Sequence, residues 1–327
     1  MLKKVILSAL GAYTVTSYIL FKNPSLLHKK KRFAHDLLNT LADKPGEKVL
    51  SIAHRGGSYE KIENTIESFQ NAVDNGTELL EMDLQMTKDD VIVVCHDVSL
   101  LRLCGVNVKV SDLNYNELPK FAQDIHLDHF DNTILDTRRL SDTKIPTLEE
   151  VFQKFPNTLI QLDLKGGSRD ITQKTSELIK RYNREKLTIW GAMGDDQYLR
   201  EFNPDLDRFF SPFAVIKTYG LYITGLLPFV PITSKIFSIP KYSTHYEKWK
   251  SSKGGVSVSI YFALFRFMES ISKPLIKHLQ ERGVLVFHWV LNEDADFEES
   301  LKFNINGIMT DKPTQLKKFL EDRGKKL

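Results

Sequence analysis

Cysteine is nearly absent: Cys95 and Cys104 are the two thiols in 327 residues, and neither has a partner at zinc-ligand spacing. A disulfide scaffold and a thiolate metal centre are therefore excluded, and both residues are expected as reduced structural thiols. Seventeen glycines and twelve prolines are sparse for this length, with no low-complexity tract and no repeat beyond a strand–helix alternation. That argues against a long disordered region. A charge excess is lacking too: 45 Lys+Arg stand against 42 Asp+Glu, for a net +3. The basic surplus is local, in His28 to Arg32, so there is no stripe for a nucleic acid. No G-x-G-x-x-G follows the first apolar strand, which removes the signature of a dinucleotide fold.

What is present is a large apolar inventory, 42% hydrophobic against 27% charged. The length fits one α/β barrel of roughly 250 residues with an extension. That extension opens the chain. Val5 to Phe21 is uncharged and flanked by Lys3, Lys4 and Lys22, at the lower limit for a transmembrane helix of about 17–25 residues. Its end offers little of the small-residue pattern of a cleavage site, so residues 1–24 read as a retained single-pass anchor and 25–47 as a basic juxtamembrane linker. Lys22, Lys29, Lys30, Lys31 and Arg32 follow the anchor while two lysines precede it. The positive-inside rule then places the remaining domain, 48–327, in the cytosol.

From about Lys48 onward strands and helices alternate. "KVLSIA" is an apolar run of buried-strand length, and "ENTIESFQNAVDNG" follows as a helix, with Asn64 read as its cap and Glu67 as the capping-box partner. "ELLEMDLQM" and "VIVVCH" flank a hairpin-like turn at Lys88 to Asp90. Residues 97–145 are polar and irregular, an inserted excursion. The alternation resumes with "TLIQLDLK", "LTIWG" and "RFFSP", then "VLVFHWVL" and "GIMTD", while "SIPKYSTHY" and "GVSVSIYF" compete for the sixth strand. Eight singly alternating strands predict an α/β fold, a TIM (β/α)8 barrel with an insertion after strand two.

In such a barrel, chemistry gathers at the C-terminal strand ends. Strand one ends in His54, Arg55 and Gly56, and "VIVVCHD" ends in His96 and Asp97. Glu81 and Asp83 are two residues apart on strand two and share a face, as do Asp163 and Lys165 on strand three. Trp289 and Asn292 close strand seven, and Asp311 closes strand eight. A lone strand-end histidine is usually structural, and an acidic i,i+2 pair is usually a solvated face. Their joint occurrence at successive strand ends points to chemistry instead. Glu81, Asp83 and Asp163 form an oxygen-rich site for one hard divalent cation, Mg²⁺ or Ca²⁺. That cation with Arg55 and Lys165 suits an anionic phosphate, and His54 and His96 suit proton transfer.

These motifs occur in the order "HRG" (54–56), "ENT" (63–65), "E-M-D" (81–83), "TKDD" (87–90), "HD" (96–97), "D-L-K" (163–165), "W-V-L-N" (289–292) and "TDKP" (310–313). On them the chain resembles the glycerophosphodiester phosphodiesterase family from about Lys48 to its end. With its anchor and "GLLPFVPI" it is similar to the membrane-bound eukaryotic subgroup associated with lysophospholipase D activity. The resemblance implies a metal on the acidic strand-end residues and catalytic roles for His54 and His96, with Glu63, Asn64, Trp289, Asn292 and Asp311 around them. The family often has Glu where Asp163 stands; the shorter side chain still ligates. The implied reaction releases the headgroup of a lysophospholipid, leaving lysophosphatidic acid, with His54 taken as base and His96 as acid. The nucleophile is water or the substrate's own glycerol hydroxyl. Two alternatives are hydrolysis of deacylated glycerophosphodiesters and a non-catalytic barrel, which loss of a histidine or carboxylate would signal. The expected partners are the substrate and a lipid bilayer, in the endoplasmic reticulum or another endomembrane. No nucleic acid is expected, and no protein partner is inferable.

The apolar stretch Phe213 to Ile232 is interrupted by Lys217, Pro228 and Pro231 and lies between strands that must close one barrel, so it is not a second span. Either it is an ordinary outer helix, or it lays Leu226, Leu227, Phe229 and Val230 near the active-site mouth, touching bilayer or acyl chain. "YFALFRFM", Tyr261 to Met268, is a candidate to join that surface.

Overall fold

The computed structural model describes the chain except residues 1, 128–132, 141, 195–196, 244–246 and 248–255. Eight parallel strands form the barrel wall: β1 (Leu50–Ala53), β2 (Leu79–Met86), β6 (Leu159–Leu164), β7 (Thr188–Ala192), β8 (Asp207–Arg208), β9 (Ile236–Pro240), β10 (Leu285–Trp289) and β11 (Gly307–Thr310). A parallel bridge from Phe209 to Ile236 joins β8 to β9 and closes the ring. The ambiguous sixth strand is thus "IFSIP". Its rival "GVSVSIYF" runs into helix α9 (Val256–Ser270), although its β-branched run favours a strand locally.

The pleat separates two environments. On β2, Leu80, Met82 and Leu84 face the helix layer with Phe69, Ile160, Leu162 and Leu164, whereas Leu79 belongs to the interior with Leu50, Ile52, Leu159 and Phe287. By alternation, Glu81 and Asp83 share the interior side with Leu79. The parallel register sets Leu79 beside Leu159, Glu81 beside Gln161 and Asp83 beside Asp163. The lumen is therefore apolar at its floor and polar at the C-terminal end.

Outside the wall, α3 (Ile66–Asp74) follows β1, α5 (Leu148–Lys154) precedes β6, and α6 (Arg169–Arg181) follows it. Then come α7 (Gln197–Phe202), α8 (Pro212–Ile223), α9, α10 (Ser272–Glu281), α11 (Asp294–Leu301) and α12 (Pro313–Glu321). Thr65, not Asn64, caps α3. Its hydroxyl accepts from Ser68 N at 3.1 Å while Thr65 N donates to Ser68 Oγ at 3.2 Å, so Glu67 is free to pair with Lys61. The excursion after β2 begins with the hairpin strand β3 (Ile92–Val94). It continues through α4 (Leu101–Cys104) and the ribbon β4 (Asp124–His126) with β5 (Ile134–Asp136). Cys95 and Cys104 are free and buried there.

The N-terminal segment departs from expectation. Helix α1 (Leu2–Lys22) covers the predicted anchor, and among the described residues it alone is long and apolar enough to cross a membrane, with mean hydropathy 1.4. The stretch read as a linker, however, contains α2 (Asp36–Asp43), whose Leu38 and Leu41, with Phe33, pack on Leu50, Leu159, Ile236 and Leu285 and plug the barrel floor. The Asn306 amide donates to Leu41 O at 2.9 Å and locks this plug. Leu38→Ala removes a fully buried side chain from the floor and is expected to cost about 2–5 kcal/mol, read as a lowered urea midpoint with unchanged slope.

Candidate active site

Every polar group of the candidate site hangs from a C-terminal strand end or the turn after it. After β1 the chain makes one 3-10 turn in which Arg55 is left-handed at φ 50 and Gly56 at φ 83. A Cβ on Gly56 would meet Ser68 Oγ at 2.3 Å, so only glycine lets the turn press against α3. This tight turn presents His54 and Arg55 side by side. Asp311, at the end of β11, accepts from His54 Nδ1 and from Ser58 Oγ, each at 2.6 Å, and from Asn292 Nδ2 at 2.8 Å. Asn292 is itself fixed, its Oδ1 accepting from Asp311 N at 2.8 Å and Thr310 Oγ1 at 3.0 Å. Burial raises the cost of charging Asp311, but His54 and these donors outweigh it and hold the carboxyl well below the usual range. In return, although burial disfavours the imidazolium, Asp311 pulls His54 above its ordinary value. With Nδ1 engaged, Nε2 is the nitrogen left for substrate.

The second histidine repeats the device. His96 Nδ1 lies 2.7 Å from Asp97 Oδ1. Arg102, from α4, donates to Asp97 through Nε at 2.7 Å and Nη2 at 3.0 Å, and to both Glu63 oxygens at 2.7 and 2.9 Å. Glu63 also accepts from Arg55 Nη1 at 3.0 Å. The insertion thus ties both histidine-bearing segments together.

Between them stand the carboxylates. Glu81 accepts from Arg55 N at 2.9 Å, and Asp83 Oδ2 accepts from Asn64 Nδ2 at 3.0 Å and faces Arg55 Nε at 3.2 Å. Asn64 can reach because it too is left-handed, at φ 55. The Lys165 ammonium bridges Asp83 Oδ1 at 2.8 Å and Asp163 Oδ2 at 2.6 Å. Burial and the neighbouring Asp83 charge push Glu81 up to about 7. Burial also opposes charge on Asp83, but Arg55 and Lys165 outweigh it and keep Asp83 ionised; Asp163 is raised by burial and by Asp83 despite Lys165. Three carboxylates this close together, Glu81 and Asp83 buried and Asp163 half-buried, are short of positive charge.

Do these residues fit a cation? Among the described residues, no group of three or more metal-donor side chains converges as a preformed cage. The chemistry nevertheless matches a hard ion. All donors are oxygens, Asp163 Oδ1 is buried without any hydrogen-bond donor, and Glu81 is raised by burial and by Asp83 despite His54 and Lys165. Lys165 holds the position such an ion would contest.

Of the residues expected from sequence, His54, Arg55, Glu63, Asn64, Glu81, Asp83, His96, Asp163, Lys165, Asn292 and Asp311 form this connected cluster. Trp289, 37% exposed at the end of β10, stands at its rim. Arg55 is buried and paired with carboxylates, so its contact with an anion passes through that network. Ser58 and Arg102 were not anticipated; a serine in a turn and an arginine in an irregular excursion carry no periodic signal.

The apolar loop is not at the mouth. Leu226 to Val230 immediately precede β9, and Arg282, just ahead of β10, donates to Leu227 O at 3.2 Å and Val230 O at 2.8 Å. In a parallel barrel, residues preceding strands lie at the N-terminal end, opposite the site. A helix of α8's 12 residues descends about 18 Å, the height of the wall. Leu227 is also only 1% exposed, packed in the helix layer, so it touches neither bilayer nor acyl chain. Leu226 and Phe229 are exposed, and Val230 is half-buried.

Comparison with known proteins bears on the family and the fold. Residues 54–315 match the model of the glycerophosphoryl diester phosphodiesterase family. The human protein named lysophospholipase D GDPD1 is 39% identical over 321 residues, 97% of this chain and 96% of its own. The mouse lysophospholipase D GDPD3 is 34% identical over 97% of this chain and 92% of its own. A glycerophosphodiester phosphodiesterase structure from Thermotoga maritima superposes with a TM-score of 0.58 at 22% identity, over 83% of this chain and 97% of that one, which bears on the fold alone. Asp311→Asn leaves His54 unoriented and is expected to lower kcat by about 10²–10⁴-fold with little change in KM, measured by steady-state headgroup release.

Proposed function

The chain belongs to the glycerophosphoryl diester phosphodiesterase family, and from that membership we propose that it is a metal-dependent lysophospholipase D held at a membrane. It releases the headgroup of lysophosphatidylcholine, lysophosphatidylethanolamine or its N-acyl form as a free amino alcohol and leaves lysophosphatidic acid. The observation that carries the chemistry is the placement of two carboxylate-oriented histidines around one carboxylate cluster. Glu81, Asp83 and Asp163 would hold Mg²⁺ or Ca²⁺, which supplies Lewis-acid neutralisation of the phosphoryl oxygens. His54 Nε2 removes the proton of the attacking oxygen, either water or the substrate's glycerol hydroxyl by way of a cyclic phosphate that water then opens, and Asp311 stabilises the imidazolium formed. His96, steadied by Asp97, protonates the alkoxide that leaves as the P–O bond to the headgroup breaks. Lys165 adds positive charge beside the phosphate, and Arg55 acts on it through the carboxylates it pairs with. Loss of headgroup release on chelation, restored by Mg²⁺ or Ca²⁺, is the expected outcome of a metal titration; activity that survives exhaustive chelation would rule out the cation.

A specific feature favours a lysolipid over a deacylated glycerophosphodiester. Helix α9 follows the C-terminal end of β9 and is held there by Glu269, which pairs with Lys241 at 2.5 Å and accepts from Tyr242 N at 3.0 Å. Phe262 and Phe265 pack on Tyr242, while Ile260, Leu264 and Phe267 are exposed along one stripe at the catalytic end. That stripe receives the acyl chain, the role that the 226–230 loop is too distant to play. With Leu264→Asp, the ratio of kcat/KM for lysophosphatidylcholine to that for glycerophosphocholine is expected to fall roughly tenfold, the worth of about 1.4 kcal/mol of lost apolar contact. A parallel fall for both substrates would remove the acyl-chain role from α9. The basic flank of α1 supports the reading that the domain faces the cytosol from an endomembrane.

A further inference from the structure

The turn from Thr224 to Val230 has an unusual hydrogen-bond supply. Its carbonyls are met by side chains from far along the chain. Tyr13 OH donates to Thr224 O at 2.5 Å and Ser17 Oγ to Gly225 O at 2.6 Å. His28 Nε2 lies 2.7 Å from Pro228 O, and Arg282 serves Leu227 O and Val230 O. Leu226 O accepts from Phe229 N within the turn at 3.0 Å. A loop in water needs no such arrangement, because solvent satisfies its carbonyls. A loop in hydrocarbon needs it absolutely, since irregular backbone at membrane depth is tolerated only where protein donors replace water.

The helix that supplies two of those donors is the apolar helix α1. Its only polar side chain buried by the fold is Ser17, and Ser17 and Tyr13 are spent on this turn. Contact is close: a Cβ on Gly225 would meet Ser17 Oγ at 2.9 Å, and Tyr13 stacks on Phe229 with centroids 6.2 Å apart. At the helix's other end, Phe21 stacks on His278 at 4.5 Å and its carbonyl faces His278 Nδ1 at 2.8 Å, so α1 is pinned at three successive turns. The side chains left over on the turn are apolar: Leu226 is 43% and Phe229 41% exposed. Leu26 and Leu27 are exposed just after α1, with Lys22 and Lys29 nearby in the chain; Lys30 is paired with Asp43 at 2.9 Å.

We propose that the turn from Thr224 to Val230 enters the bilayer as a re-entrant element bound to α1, so that the N-terminal face of the barrel rests on the membrane and the catalytic face points away from it. This rests on the reading of α1 as a membrane helix. If α1 spans, with Lys3 and Lys4 at one interface and Lys22 at the other, then Tyr13 lies near mid-depth and its partners Thr224 and Phe229 are immersed with it. The lysines around Leu26 and Leu27 then meet anionic headgroups.

Both native cysteines are buried, so single added cysteines can be labelled with an environment-sensitive fluorophore in the full-length protein. Labels at Val15→Cys, Phe229→Cys and Leu264→Cys are read in phosphatidylcholine–phosphatidylserine vesicles carrying a doxyl quencher at mid-chain, with thermal unfolding confirming each fold. The expected result is that labels at 15 and 229 lose most of their fluorescence while the label at 264 is unaffected. Quenching at 15 and 264 but not 229 overturns the proposal, as does quenching at 15 alone. No quenching at 15 instead removes the membrane helix itself, and with it both readings. Tyr13→Phe with Ser17→Ala, which strips two carbonyls of their donors, is expected to move the label at 229 toward the surface; an unchanged depth overturns the proposal.

Discussion

One register governs the site. Because β2 and β6 run parallel with Leu79 beside Leu159, Asp83, which is buried, is set beside half-buried Asp163 at the end of the barrel wall. Like charges at one height in a low dielectric are tolerated only with compensating cations. The arrangement of Arg55, Lys165, Asn64 and the Arg55 amide around them follows from that requirement. Even so, burial and the neighbouring Asp83 charge leave Glu81 raised above the ordinary carboxylate value. The site is built to attract positive charge rather than merely to tolerate its acids.

The same logic runs outward. Arg55 and Arg102 share Glu63, and Arg102 shares Asp97, so the turn after β1 and the segment after β3 are joined through two buried or half-buried carboxylates. An isolated surface pair would contribute little. Here the geometry is bidentate and partly desolvated, which favours orientation of His96 and Arg55 over bulk stability. The insertion is therefore part of the active site, although its own sequence is polar and irregular.

Much of this was legible in the sequence because it rests on period two. Apolar runs mark the strands, and Glu81 with Asp83, or Asp163 with Lys165, reveal by spacing alone that they share a face. What was illegible depends on backbone conformations and on long-range partners. Asn64 reads as a cap, yet a left-handed φ turns it inward to Asp83 and leaves the capping to Thr65. Helix α2 is hidden in a basic stretch, because its eight residues only become a floor once the lumen exists to be closed. The 226–230 loop was placed at the wrong end because hydrophobicity carries no height. The helix length does, since each residue of α8 lowers the chain by about 1.5 Å.

The two ends of the barrel then divide the labour. In the proposed arrangement, a membrane held at the floor would leave the mouth in water, on the far side of the molecule from the lipid. A two-chain phospholipid cannot easily reach such a mouth, because each methylene withdrawn from the bilayer costs about 0.8 kcal/mol. A single-chain lipid leaves with roughly half that penalty and meets the exposed Ile260, Leu264 and Phe267 stripe beside β9. Selectivity for lysolipids over diacyl lipids would on this view arise from distance rather than from any contact with the missing chain. The catalytic residues need only recognise a phosphodiester.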